Sequence, residues 1–323
     1  MADHAVDDFD EDIFIYRGGQ VPQHVTHVLI DRSLDEIEDY AFKYCKNLLT
    51  VETHDGIRKV GKNAFRYCTS LRRINLKSAI EIDEYAFNSC DNLESVEFGD
   101  RLETIGDGAF GWTSLKHLKL PSIVNIGGAV FLNCTRLIDV ELSDRLETIG
   151  AGAFCGCERL QRIAVPLTRD LFDVNQFLQR YNHFDRCEQL TRVDIVGEDL
   201  TKTAASLHME SWRTEMVTEI NRINQVLSST SADEKTFEIQ LWMNSVLDKM
   251  DHYKAEHYRY VKEGITLLEL ALWKAKLDEN EDSAMERESK KALDDFASAR
   301  KEKRITCGAD MVIKNVLPFL QLE

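Results

Sequence analysis

The chain has no apolar run long enough to cross a bilayer. The densest stretch, Ile265–Trp273, is interrupted by Glu269 and falls well short of the ~20 residues a membrane helix needs. The opening residues also lack the basic start and apolar stretch of a secretory leader. Asp3, Asp7, Asp8, Asp10, Glu11 and Asp12 all precede the first basic residue, Arg17, so a soluble, cytoplasmic protein is expected. Positive charge is scarce: 40 Lys and Arg stand against 56 Asp and Glu, for a formal net charge of -16. That field repels nucleic acid and anionic membranes, and neither is expected as a partner. A basic cluster (Arg58, Lys59, Lys62, Arg66, Arg72, Arg73, Lys77) runs against this trend, but it lacks interleaved aromatics on a stacking surface.

Motifs that carry chemistry are also missing. Cys155-Gly156-Cys157 lacks both the Cys-x-x-Cys spacing and the second ligand pair of a zinc site. His252 and His257 are five apart, not the four that puts two imidazoles on one helix face. The pairs Gly106 with Gly108 and Gly150 with Gly152 lack the lysine of a phosphate-binding loop. Cys307, ahead of Gly308 and a short apolar pattern, is the one candidate nucleophile, and no histidine can be paired with it. No cofactor, metal or enzymatic activity is expected.

What the sequence does contain is a repeat. With 43% hydrophobic residues over 323 positions, the chain can bury one large core or two smaller ones. An Ala-Phe or Val-Phe pair recurs at Phe42, Phe65, Phe87, Phe110, Phe131 and Phe154, spaced 23, 22, 23, 21 and 23 residues apart, with a divergent copy at Phe184. Six residues after most of these comes a leucine: Leu48, Leu71, Leu93, Leu137, Leu160 and Leu190, with Leu115 one residue early. Three further on stands a branched residue or leucine: Val51, Ile74, Val96, Leu118, Val140, Ile163 and Val193. Seven copies at such a period predict a solenoid. Asp100–Gly106 and Asp144–Gly150 are identical, which points to growth by duplication of repeat pairs. Pro166–Asn182 breaks the spacing and is expected to bulge from the last coil.

The unit Ile-x-x-x-Ala-Phe-x-x-Cys-x-x-Leu-x-x-Val, as in Ile82–Val96, resembles the BspA-type, or Treponema-type, leucine-rich-repeat family. The resemblance covers roughly residues 25 to 196. It departs where one residue is missing after Phe110, so that Trp112 and Thr113 stand near the cysteine position, and where proline follows the strand only at Pro121 and Pro166. The chain as a whole, including Arg304–Leu320, is similar to a set of diatom leucine-rich-repeat proteins, which implies no activity.

The expected architecture is an α/β solenoid, a leucine-rich-repeat array with a parallel sheet, followed by an all-α C-terminal segment. Residues 1–23 form an acidic lead-in, 24–197 the solenoid of about seven repeats, and 198–323 the helical region. Strand alternation sends Val96 and Phe98 to the core and Ser95 and Glu97 outward. Stacked coils then line the outward residues into two polar columns, from which Arg73, Asn75, Ser95, Glu97, His117, Lys119, Asp139, Glu141 and Arg162 are the candidate partner-binding residues. A protein partner is expected on this face, in a scaffold or interaction role. Cys45, Cys68, Cys90, Cys134, Cys157 and Cys187 share one repeat position. Stacking brings them near disulfide distance, yet a reduced thiol filling a buried slot is the stronger reading.

Beyond Asp199 the period disappears. Leu207, Met216, Ile220, Ile223 and Leu227 follow a helical spacing, Ser228–Asp233 is a polar break, and Phe237, Leu241, Val246, Met250, Tyr253, His257, Val261, Leu268 and Leu272 mark a longer helix with an interruption near Gly264. Residues 278–304 are strongly charged, and a final helix is expected to end near Pro318. Apolar stripes on such helices need cover, and self-association through them is the alternative, a structural or assembly role.

Overall fold

The structure, a computed structural model, describes residues 13–172, 182–197 and 210–286. Two stacks of short parallel strands alternate along the chain. The first stack holds β1 (Ile13–Tyr16), β2 (His27–Ile30), β4 (Thr50–Glu52), β6 (Arg73–Leu76), β8 (Ser95–Phe98), β10 (His117–Lys119), β12 (Asp139–Glu141), β14 (Arg162–Pro166) and β15 (Arg192–Val196). The second holds β3 (Glu36–Ile37), β5 (Lys59–Val60), β7 (Glu81–Ile82), β9 (Thr104–Ile105), β11 (Asn125–Ile126) and β13 (Thr148–Ile149). The second stack is one six-stranded sheet, whereas the first is hydrogen-bonded in three pieces, β1-β2-β4, β6-β8 and β10-β12-β14-β15. The gap between β8 and β10 coincides with the coil that is one residue short after Phe110. The fold is therefore the expected parallel-sheet solenoid. Its connecting limbs between strands are turns, with no helix among the described coil residues.

The third side of each coil is the Ala-Phe limb, and the backbone explains why it stacks. Positions two before and two after each phenylalanine from Phe42 to Phe154 adopt left-handed φ: Tyr40, Asn63, Tyr85, Gly108, Ala129 and Gly152 before, Tyr44, Tyr67, Ser89, Trp112, Asn133 and Gly156 after, with Arg186 after Phe184. Alternation of handedness turns every second N–H toward the next coil. Tyr40 N donates to Lys62 O (2.9 Å), Phe42 N to Ala64 O (2.7 Å) and Tyr44 N to Arg66 O (2.9 Å), and the same three bonds recur from Asn63, Phe65 and Tyr67 to Glu84, Ala86 and Asn88. A left-handed non-glycine residue costs roughly 1–2 kcal/mol, and these bonds offset that strain.

Between the three sides lies the core. Phe42, Phe65, Phe87, Phe110, Phe131, Phe154 and Phe184 are all fully buried. Their rings stack near-parallel, 4.9 Å apart from Phe42 to Phe65, 5.0 Å from Phe65 to Phe87 and 5.9 Å at the far end. Leu93 is fully buried beside them, and Val96 and Phe98 are half-buried. Phe98 meets Phe110 edge-on at 5.7 Å.

At the front, part of the expected lead-in of residues 1–23 is a strand. Ile13–Tyr16 pairs in parallel with β2, and Tyr16 is fully buried, its ring 4.9 Å from that of Phe42. An all-apolar run next to an open coil end gains more from covering the phenylalanine stack than from solvation.

At the rear, two helices follow, α1 (Glu210–Leu227) and α2 (Lys235–Glu286). The chain divides into two compact units, Met1–Glu198 with Glu215–Leu247, and Asp199–Thr214 with Asp248–Glu323. The first unit thus takes in helical residues beyond the expected division at 197. Ile223, Leu227, Ala232, Ile239, Trp242, Met243 and Val246 are buried there. Side chains supply the hydrogen bonds that a further coil would have made: Val193 N donates to Asn224 Oδ1 (2.8 Å) and Phe184 N to Thr236 Oγ1 (3.2 Å). Buried Lys235 donates to the carbonyls of Cys187 (3.0 Å) and Glu188 (2.9 Å). The expected bulge after Pro166 is in part tucked in, because Leu171 and Phe172 are buried and Phe172 N donates to Gln240 Oε1 (2.7 Å).

The expected apolar stripe of α2 is also corrected. Phe237 and Leu241 are 53% and 54% exposed, because the face that meets the last coil carries Lys235, Thr236, Ile239, Gln240, Met243 and Val246. Gly264 does not interrupt the helix. In the second unit Tyr258, Leu267 and Trp273 are exposed. No helix among the described residues is long and apolar enough to cross a membrane. Cys307 and the expected helix near Pro318 lie outside the described residues.

Two substitutions test the stacking. Phe87→Ala is expected to lower unfolding free energy in denaturant titrations by about 3–5 kcal/mol, and a loss below about 1 kcal/mol would contradict the ladder. Gly99→Ala places a Cβ 1.9 Å from Lys77 O and is expected to lower the melting temperature by several degrees or more.

Candidate functional site

Strand register fixes what the outward face of the first stack presents. His27 pairs with Thr50, Arg73 with Ser95, and His117 with Asp139, Arg162 and Arg192 in succession. The neighbouring column runs Leu29 to Glu52, Asn75 to Glu97, and Lys119 to Glu141, Ala164 and Asp194. The nine expected residues thus lie on this one face, in the columns expected. Two residues depart from the polar pattern, Ala164, which is buried, and Leu29, which is exposed.

Parallel coils place outward side chains of neighbouring coils within reach of each other, and opposite charges pair there. Lys77 meets Glu97 (2.9 Å), Lys119 meets Glu141 (2.8 Å), and Arg162 lies between Asp139 (2.8 Å) and Asp194. The hydrogen bond that Arg162 donates to Asp139, with the one it donates to Asp194, pushes the Arg162 pKa above its ordinary value. Asn75 accepts from Lys77 N (3.0 Å) and its carbonyl from Thr53 Oγ1 (2.6 Å). Arg73 is exposed. Half-exposed pairs of this kind contribute little stability each, but they set a fixed charge pattern along the face.

The same face carries residues that the sequence reading missed. β1 extends both columns by one coil, and Ile13 and Ile15 on it, with Leu29 on β2, stand outward, 60%, 45% and 39% exposed. Ile13-Phe14-Ile15-Tyr16 was the available signal, obscured by the acidic run before it. At the opposite end Thr191, Arg192, Asn221, Asn224, Gln225 and Ser228 line an open polar groove of about 420 Å³.

The basic cluster does not form one patch. Lys59 pairs with Glu81 and Asp83, Lys62 with Glu84 and Lys77 with Glu97. Aromatics do interleave with one of its members: Arg66 lies 5.0 Å from the Tyr67 ring and 5.1 Å from that of Tyr85.

The cysteine column is a hydrogen-bonded core element. Cys68, Cys90, Cys134 and Cys157 donate to the carbonyls of Phe42, Phe65, Phe110 and Phe131 at 3.1 to 3.2 Å. Cys187 donates to Phe154 O (3.2 Å). All are free thiols. In the short coil Thr113 takes the cysteine's place, donating to Phe110 O (2.9 Å) and contacting Cys134 Sγ. No group of three His, Cys, Asp or Glu among the described residues is placed to hold a metal ion.

Comparison with known proteins supplies the family. The model of a BspA type leucine rich repeat region matches six copies, over residues 22–137, 77–182 and 110–238. A leucine-rich repeat protein of Bacteroides ovatus is 25% identical with a TM-score of 0.41, over 55% of this chain and 48% of that one. The chain thus spans about half the length of that relative. A leucine rich repeat protein of T. pallidum is 25% identical with a TM-score of 0.37, over 56% of this chain and 73% of that one. No curated protein matches the chain.

Burial pushes the Cys45 and Cys134 thiols up to about 11 and Cys187 to about 12, and raises Cys68, Cys90 and Cys157 as well. The folded state therefore keeps protons that the unfolded chain loses above pH ~9, so stability falls as pH rises from there toward 11. Lys235, whose pKa burial lowers, acts in the opposite sense, whereas Cys155 and Tyr16, both raised by burial, act with the six thiols. Denaturant titrations at pH 8, 9.5 and 10.5 are expected to show a steep loss of stability. A Cys68→Ala, Cys90→Ala double variant is expected to flatten that slope by up to about 2.7 kcal/mol per pH unit.

Proposed function

This chain belongs to the BspA-type leucine-rich-repeat family, and from that premise we propose that it is a non-enzymatic interaction module that binds a protein along the outward strand face. The observation that carries this reading is the combination on one face of an apolar patch with fixed charge columns. Ile13, Ile15 and Leu29 lie at one end, and Arg73, Glu97, Lys119, Asp139, Glu141 and Arg162 continue from it. Interfaces draw most of their affinity from a few desolvated apolar or aromatic anchors, while surrounding charges set register and specificity. The patch supplies such an anchor. Asn75, Ser95 and His117, with the columns around them, supply hydrogen bonds that a partner's polar surface can match.

A rigid array suits this task because strand spacing, not side-chain choice, places the groups. Docking a partner then orders little that is not already ordered. A self-assembling role through the C-terminal helices is the weaker reading, since the helical residues Glu215–Leu247 already bury Ile223, Leu227, Trp242 and Met243 in the unit that holds the coils.

Proximity labelling in the native cell, with wild type beside a Leu29→Asp, Arg73→Glu variant, tests the face. Proteins enriched by wild type are expected to be lost from the variant, and the purified partner to bind it at least about tenfold more weakly. An unchanged partner set with an unchanged affinity would refute the assignment. Light scattering on the full chain tests self-assembly, for which a monomer at micromolar concentration is the expected result.

A further inference from the structure

The Ala-Phe limb of the first three coils carries a surface that the outward strand face does not include. Tyr40, Lys43, Tyr44, Tyr67, Arg66 and Tyr85 form a continuous ribbon there. Lys43 Nζ lies 5.0 Å from the Tyr40 ring and 5.1 Å from the Tyr44 ring. Tyr44 stacks on Tyr67 at 5.0 Å with the rings 3° apart. Arg66 then bridges Tyr67 and Tyr85. Tyr40, Tyr44 and Tyr85 are about 40% exposed.

The backbone does not ask for these residues. All four tyrosines have left-handed φ, and later coils place Gly108, Gly152 and Gly156 at the same two positions, where glycine is unstrained. Exposed aromatics held at strained positions point to a binding role.

Charge points to the partner. In a chain of net charge -16, the neighbouring cations Lys59, Lys62 and Lys77 all pair with carboxylates. Lys43 and Arg66 have no carboxylate partner among the described residues. Arg66 reaches Asn63 Oδ1 (3.1 Å) and the Tyr67 hydroxyl (3.5 Å), and its Nε is buried without a hydrogen bond. The ribbon favours an anionic occupant.

Geometry selects its conformation. The limb's N–H groups are already bonded to the next coil, Tyr40 N to Lys62 O, Tyr44 N to Arg66 O and Tyr67 N to Asn88 O. A strand cannot add there through its backbone. A polyproline II helix needs no such partner, and aromatic-lined surfaces recognise it through side chains. Its three-residue turn of ~9 Å matches the roughly 10 Å between coils two apart, as set by the Phe42, Phe65 and Phe87 spacings. Tyr40 and Tyr85 occupy one column at that separation. The 5.0 Å contact between Tyr44 and Tyr67 leaves no slot for an intercalated base.

We propose that this ribbon binds an extended, proline-rich segment carrying acidic residues, with prolines against the tyrosines and carboxylates on Lys43 and Arg66. The test is calorimetric titration of the full chain with a peptide of repeating Pro-Pro-Glu, against Pro-Pro-Lys and Gly-Ser-Glu peptides of equal length. Pro-Pro-Glu is expected to bind at least about tenfold more tightly than either. A Tyr44→Gly, Tyr67→Gly variant is expected to lose at least tenfold in affinity without a lower melting temperature, because glycine suits both positions. Arg66→Glu is expected to reverse the preference between Glu and Lys peptides. Equal binding of Gly-Ser-Glu, unchanged affinity in the glycine variant, or tighter binding of oligouridylate at the same residues would overturn the proposal. These residues lie off the outward strand face, so this result and that of the Leu29→Asp, Arg73→Glu variant are independent.

Discussion

Everything in this array depends on one coil lying in register on the next. Register is held on the Ala-Phe limb, where alternating handedness aims three N–H groups per coil at the carbonyls of the following coil. The buried phenylalanine rings stack at the same interval. Backbone and side chain therefore agree on a spacing near 5 Å, the distance at which parallel strands also pair. Hydrogen bonds and ring contacts that favour one spacing reinforce each other, and a shift of one coil would break both.

Register on the limb propagates to the other two sides. The second stack is an unbroken sheet of six strands of two residues each, which could not persist without neighbours held in place. The first stack tolerates interruptions in its ladder and still keeps its columns. Columns in turn create the ion pairs, because Asp139, Arg162 and Asp194 approach only when successive coils superpose. Thiol positions follow the same logic: from Cys68 to Cys187 each Sγ of the column reaches the phenylalanine carbonyl of the coil before it, so a small donor recurs where a methyl group would leave that carbonyl with one partner fewer.

Open ends are the weakness of any stacked array, and this one closes them differently at each end. The front is covered by Tyr16 and β1, hydrophobic and short. The rear is covered by polar substitution, with Asn224, Thr236 and Gln240 standing where a further coil's carbonyls would be. Lys235 is the sharpest case, a buried ammonium whose loss of hydration is offset by two carbonyls of the last coil.

The amino-acid sequence alone determined the solenoid, its period, its core phenylalanines and the membership of its outward columns, because a residue's place in a repeat is a matter of counting along the chain. It also placed Trp112 and Thr113 near the cysteine position of the short coil, and the structure chose Thr113. Counting fails where partners come from elsewhere. Phe237 and Leu241 read as core from helical spacing, yet Ile239, Trp242 and Met243 are buried, since the end of the last coil chooses which face of α2 it covers. Ile13, Ile15 and Leu29 became part of the outward face, and Tyr40 through Tyr85 a ribbon around two cations, only through contacts across coils. Periodicity is a local property that sequence carries in full, whereas burial at the ends and adjacency between coils depend on which surfaces meet in space, and the tertiary structure decided those.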